Sequence, residues 1–232
     1  MTSWLSRLRN ISLLPAILST TAGAVDVIGF LALGGLFTAH ITGNVVIVAA
    51  HYVTGGFSQI GPLLAVPVFM VVMGLVTLAS SAIARAGFYP LRPLLLLQTA
   101  LLAGFLLLGV GFGRFPDADS SMAVLAGMLG VAAMATQNVL GKLALKGAPS
   151  TAVMTTNITQ LTVDLATLAR RHGTADELAK ARRRARMTFP CIVGFIGGCA
   201  AGAALEVKFG FSALALPVVL SALAVPLGQV EE

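Results

Sequence analysis

Charge is what this chain has least of. Of its 232 residues only 10% are Asp, Glu, Lys or Arg, against roughly a quarter in soluble globular domains. A chain so poor in charge has too little polar surface to clothe a water-soluble fold of this size. Cysteine is almost as scarce, with Cys191 and Cys199 alone. They lie eight residues apart in one apolar stretch, about two helical turns, so they cannot bridge each other and read as small packing residues. The three histidines and two cysteines are scattered and form no recognisable metal site. A Walker A loop, G-x-G-x-x-G, H-E-x-x-H and G-x-S-x-G are all missing, which removes the usual phosphate, dinucleotide, zinc-protease and hydrolase signatures. The expectation is a protein that is not an enzyme and carries no cofactor and no metal.

What is there is apolar length. Hydrophobic residues make up 57% and the mean hydropathy is +0.92, as in integral membrane proteins. Apolar stretches near 12–34, 62–84, 93–113, 121–141, 187–207 and 211–228 mostly approach the ~20 residues that cross the hydrocarbon as helix. A β-barrel is excluded because its strands alternate apolar and polar over about ten residues. The fold class is therefore an all-α polytopic transmembrane bundle in a single domain, 1–232. Its first stretch follows Arg7 and Arg9 as a signal peptide would, but it outruns a signal core and contains Asp26. It reads as a retained span.

The pattern Thr-Ala-x-x-Thr-x-Asn occurs twice, at Thr38–Asn44 and Thr151–Asn157, 113 residues apart. Each copy follows an apolar stretch with a polar interruption, Asp26 in one case and Gln137-Asn138 in the other. This spacing predicts an internal duplication, with repeat one at 12–113 and repeat two at 120–228. The motif segments, 37–56 and 150–169, are long enough to span but polar where a span is apolar. If they enter and leave on the same face, thirteen Lys and Arg fall on one side of the membrane and two, Arg114 and Lys208, on the other. If they cross, giving eight full helices, the split is ten to five. The positive-inside rule favours six spans plus two broken or re-entrant segments. Three spans per half turn the second repeat upside down, and the two motifs then converge from opposite faces on a midplane site.

The longest hydrophilic stretch, 170–186, holds seven of the fifteen basic residues. It reads as a cytoplasmic loop against anionic headgroups, with Thr174–Met187 as a short interfacial helix, and not as a nucleic-acid surface. The pI near 10 comes largely from this loop.

Within the spans a few residues stand out. Asp26 sits where an ionised carboxylate is costly and so faces the bundle interior. It reads as a proton or cation ligand, or as the partner of a polar group across the repeat. In the second motif segment Asn157, Gln160 and Asp164 share one helical face. Shifted by 113 residues, Asn44 stands opposite Asn157 and His51 opposite Asp164, which suggests a proton-relaying pair. Thr38, His40, Thr42, Gly43, Thr151 and Thr155, with Gln137 and Asn138, complete the candidate path. A helix beginning within the membrane at Thr42 or Thr155 would present its positive end to an anion. Gly194, Gly198 and Gly202 form a small-residue stripe for close helix approach, within the protomer or in a homo-oligomer.

At Ala22-Gly23-Ala24-Val25-Asp26, at Thr38-Ala39-His40-Ile41-Thr42-Gly43-Asn44 and at Ala135-Thr136-Gln137-Asn138 followed by the second motif, the chain resembles the YoaK family of bacterial inner-membrane proteins, over roughly 12–228. The family often carries a glycine in its second motif, whereas Thr155-Thr156-Asn157 has none. The resemblance implies a multi-pass inner-membrane protein of uncharacterised activity. The expected function is secondary transport or channel-like passage of a small solute, anionic or proton-coupled. The alternative is a non-transporting scaffold or regulatory partner whose polar stripes bond helices together.

Overall fold

In a computed structural model the described residues are 2–54, 60–112, 117–145, 147–170 and 173–228, with backbone alone for 2–12. The basic side chains of Arg7, Arg9, Arg114, Lys146 and Arg171, and His172, lie outside them. Every regular element described is helical: α1 Thr2–Ala32, α2 Ile41–Thr54, α3 Ile60–Arg85, α4 Leu91–Phe112, α5 Ser121–Leu143, α6 Met154–Arg170, α7 Ala175–Phe209 and α8 Ala215–Leu227, the last two joined by a 3-10 turn at Gly210–Leu214. Helical runs long and apolar enough to cross a membrane are Leu13–Ala32, Ile60–Arg85, Leu91–Phe112, Ser121–Leu143 and Ala175–Leu227. The protein is a membrane-embedded helical bundle.

Several threonine hydroxyls within these helices are satisfied locally, as a medium without water favours, while the buried hydroxyls of Ser19 and Ser80 have no partner among the described residues. Thr20, Thr77, Thr99 and Thr136 each donate to the carbonyl four residues back, at 2.7–2.9 Å.

The contacts between helices fix their directions. Gly194 of α7 meets Ala16 and Thr20 of α1, Gly198 meets Thr20 and Ala24, and Gly202 meets Ala24 and Val27, so α1 and α7 run parallel. On α5, Gly127 packs on Leu33 and Leu36 while Gln137 reaches the Leu18 carbonyl, so α1 and α5 are antiparallel. α4 is antiparallel to α5, with Phe105 against Gly130 and the Tyr89 hydroxyl donating to the Ala144 carbonyl. α3 starts beside α5, its Ile60 N–H donating to Asp119 at 2.7 Å. α8 descends against α4 from Phe211 at Gly109 to Gly228 at Leu91 and Leu95. The 53-residue run Ala175–Leu227 thus turns back at Gly210, whose φ of +57° suits glycine, and passes through the bundle twice.

The motif helices do not pass through. After α1 the chain reverses at Gly34 and Gly35, both at positive φ, descends to the depth of Asp26, and α2 leads back to the end where α3 starts. In the same way α6 starts at the depth of Gln137 and leads back to the end where α7 starts. Arg85, Arg92, Lys142, Arg170 and the start of α7 lie at one end of the bundle, the basic end, and Lys208 at the far end. One expectation is corrected. The interfacial helix and the fifth span are not separate, because the Thr174 capping box starts one helix that continues through Pro190 to Phe209. Its 35 residues rise about 52 Å, far beyond the ~30 Å hydrocarbon layer, so its arginine-rich first turns stand outside.

The glycine stripe lies against α1 of the same chain. A Cβ at Gly194, Gly198 or Gly202 would overlap atoms of α1, and Gly198 and Gly202 are buried there.

Candidate functional site

Two polar nodes hold the tips of α2 and α6. At the first, Asp26 reaches from α1 with a side chain 5% exposed. Its Oδ1 accepts the Ala39 N–H at 2.7 Å, the His40 N–H at 3.3 Å and the Thr38 hydroxyl at 3.4 Å. Its Oδ2 lies 2.8 Å from His40 Nδ1. With the carboxylate ionised, when it only accepts, the hydrogen of this contact is on Nδ1. The His40 ring rests against Phe37 and edge-on to Phe195 of α7. Asn44, fully buried, accepts the Phe37 N–H at 2.9 Å and donates to the Phe37 carbonyl at 2.7 Å, folding the loop onto the first turn of α2. Gly43 lies under the Phe37 ring, where a Cβ would come within 2.9 Å.

At the second node Gln137 takes the place of Asp26. Its Nε2 donates to the Thr151 hydroxyl at 3.1 Å, the Thr151 carbonyl at 3.3 Å and the Leu18 carbonyl at 3.0 Å. Its Oε1 accepts from Gln98 of α4 at 2.7 Å. Asn157 donates to the Ser150 carbonyl at 2.6 Å, as Asn44 does to Phe37, each residue reaching back seven positions. The Ser150 hydroxyl accepts the Val153 N–H at 2.9 Å at the start of α6.

The helices begin at Ile41 and Met154, one residue before the threonines where the sequence places their starts. At α2 the positive end is already faced by the Asp26 carboxylate, so a second anion would meet its charge there. At α6 a cleft of about 320 Å³ opens beside Asn138, Lys142, Ser150, Thr151 and Val153.

The nodes approach each other without meeting. Leu18, which Gln137 touches, and Asp26 are eight residues apart on α1, about 12 Å of helix rise. Between them Ala22 and Val25 of α1 pack with Ala133 and Met134 of α5, all fully buried in one apolar cluster. Asp26, Thr38, His40, Gly43 and Asn44 therefore gather at one node, and Gln137, Thr151 and Asn157 at the other. Asn138 bonds its own helix at Met134 and lines the cleft. Thr42 and Thr155 are exposed at the two tips.

Asn157, Gln160 and Asp164 share an inward face as their spacing requires, but Asp164 does not pair with His51. Its carboxylate, fully buried, is held by Arg184 of α7 through Nη2 at 2.6 Å and Nε at 3.1 and 3.2 Å, and by Gln160 at 3.1 Å. His51 is half-buried on α2. Sequence reasoning missed Arg184, which it counted with the loop charges, and Gln98. A lone amide in an otherwise aliphatic span is the signal that marks Gln98, and its Oε1 is left without a partner. Among the described residues no three His, Cys, Asp or Glu gather as a metal site requires.

No curated protein and no solved structure matches the chain. A family model described as a protein of unknown function, DUF1275, matches residues 14–227, in keeping with the resemblance drawn from Asp26 and the first Thr-rich motif, and the chain belongs to this family.

Proposed function

We propose that the chain is a secondary transporter or channel-like protein for a small solute, not an enzyme, built from two inverted repeats, α1–α4 and α5–α8. The observation that carries this reading is the pair of re-entrant tips, α2 from the far end and α6 from the basic end, each fastened by one buried polar side chain of the preceding span, Asp26 or Gln137, within two residues of the 113-residue register. The neighbour pattern supports it. α1 lies with α7 as α5 lies with α3, α2 with α3 as α6 with α7, and α4 with α5 as α8 with α1. Inverted repeats with broken helices near the midplane are the architecture by which secondary transporters alternate access. In this reading the protein lies in a bacterial inner membrane with its basic end cytoplasmic, in contact with anionic lipid and not with nucleic acid. The carboxylate at the α2 tip favours a neutral or cationic solute there, and an anion would be met only at the α6 cleft beside Lys142.

A second reading, the non-transporting scaffold, draws support from the apolar layer of Ala22, Val25, Ala133 and Met134 that separates the nodes. Single cysteines in a Cys191→Ala, Cys199→Ala background test both. Thr42→Cys is expected to react with an impermeant thiol reagent in intact cells, and Thr155→Cys only after the cells are opened. Labelling of both from one side would overturn the inverted repeats. Ala133→Cys, in the layer itself, is expected to react slowly with a small thiol reagent if the layer opens during transport. An inert Ala133→Cys with correctly sided tips would leave the scaffold.

A further inference from the structure

We propose that Asp26 and His40 together form a site for one proton, taken up on His40 Nε2 from the far-end medium, and that the bound proton fastens the tip of α2 to α1. Its use as a coupling site rests on the transport reading above. The binding itself does not, and the experiment addresses binding alone.

The charge balance of the node leads to this assignment. Thr38, Ala39 and both groups of His40 all donate to Asp26, and none of these donors carries a full positive charge while the ring is neutral. The node then holds one uncompensated negative charge among Phe30, Phe37 and Phe195, in surroundings where an unpaired charge is costly. A proton arriving at Nε2 makes the ring an imidazolium. Nδ1–H keeps its bond to Oδ2, no other bond is broken, and the node becomes a neutral ion pair at 2.8 Å. The carboxylate is sealed, whereas the His40 side chain is 43% exposed, so the ring is the member of the pair that an incoming proton can reach. Histidine also exchanges its proton in the physiological range.

Among the described residues the neighbouring elements offer no competing counter-charge: the charged residues of α3 and α5, Arg85 and Lys142, lie at the basic end. On α1 Asp26 is the titratable group that faces the ring. On α7 the near titratable group is the Cys199 thiol, packed beside Gly23 of α1, and Glu206 and Lys208 lie about two turns further on. α2 itself has His51, three turns from its start. Because Ala39, His40 and Thr38 are the residues that hold the α2 tip down, the charge state of this node sets how firmly the tip is held. Proton bound, the tip is latched by an ion pair. Proton lost, it is held by neutral donors around an excess negative charge.

The sign follows. The stabilisation is greatest at low pH and fades as pH rises through the titration of His40. The test is the melting temperature of the full-length protein in detergent from pH 5 to 8. The wild type is expected to lose roughly 3–6 °C over this range, His51→Gln to lose the same, and His40→Gln to lose the slope. A wild-type slope in His40→Gln, or a flat profile in the wild type, would overturn the proposal. Because His40→Gln can also lower the melting temperature at every pH, the slope and not the absolute value is read. A spin label at Thr42 in the cysteine-free background gives a second readout. Its mobility is expected to rise with pH when His40 is present and to be independent of pH in His40→Gln. Mobility that is independent of pH in both would sink the latch.

Discussion

At Asn44 one buried amide meets both the N–H and the C=O of Phe37. These backbone groups lie within the bundle, away from the water that would otherwise bond them. Asn44→Ala orphans both, at a cost of about 2 kcal/mol, and is expected to lower the melting temperature in detergent by about 4–8 °C. Thr42→Ala, two residues away and exposed, is expected to leave it unchanged. An equal effect of the two would mean that the asparagine does not hold the loop. The importance of Asn44 and Asn157 could be read from the sequence, because the repeated motif puts an amide at the same place in both halves. The inward face of Asn157, Gln160 and Asp164 was equally legible, since it follows from helical spacing alone. The partners were not. Asp26 demands a polar neighbour, but which residue supplies it depends on how the chain folds back at Gly34 and Gly35. Arg184 sits twenty residues from Asp164 in a run of similar arginines, where no local pattern separates the one that turns inward from those that face out. The His51 and Asp164 correspondence failed for a related reason, since alignment fixes register along the repeats and says nothing of which neighbour fills each side.

At the scale of elements, α1 and α7 form the closest pair, and the glycines of α7 make it possible. Gly198 sits against the Thr20 carbonyl and Ala24 N–H, whereas Gly197, one residue earlier, meets nothing within 4 Å. Gly198→Val is therefore expected to force the helices apart and to abolish recovery of folded protein, while Gly197→Val, facing away, is expected to be recovered at the wild-type level. Gel filtration of detergent extracts distinguishes them. If the stripe served association between copies instead, Gly198→Val would fold and change only the oligomeric state. Most helix positions were legible because apolar runs of this length have few alternatives in a membrane. The continuity of α7 was not. Thr174 and Glu177 form a capping box, and the charged turns that follow resemble a surface helix ending where the apolar span begins. Nothing local shows that the same helix carries on. The change in composition marks passage from water into lipid, and Pro190 does not break the helix at that boundary.

For the whole molecule, charge and direction of travel agree. The threading in which α2 and α6 return to their own faces assigns thirteen basic residues to one side and two to the other, and the helix directions place the described members of each set at the corresponding ends. That agreement ties a rule about loops to a pattern of contacts inside the bundle, and the two are physically independent. It also makes a sharp statement about two connections. The turn between α4 and α5, around Asp117 and Asp119, belongs to the far end, and the turn between α5 and α6, around Gly147 and Pro149, to the basic end. A single full crossing by α5 separates them. Alkaline phosphatase, which is active only outside the cytoplasm, is expected to be active when inserted after Asp119 and inactive after Gly147. A third insertion between α6 and α7, at Gly173, lies on the inner face in both threadings and is the reference against which the other two are read. If α6 is re-entrant, Gly173 shares the face of Gly147 and the enzyme is inactive there too. If α2 and α6 both cross, Gly173 keeps its face but the two earlier sites change theirs: the enzyme is inactive after Asp119 and active after Gly147, the two repeats run in the same direction, and the inverted architecture on which the transport reading stands is lost.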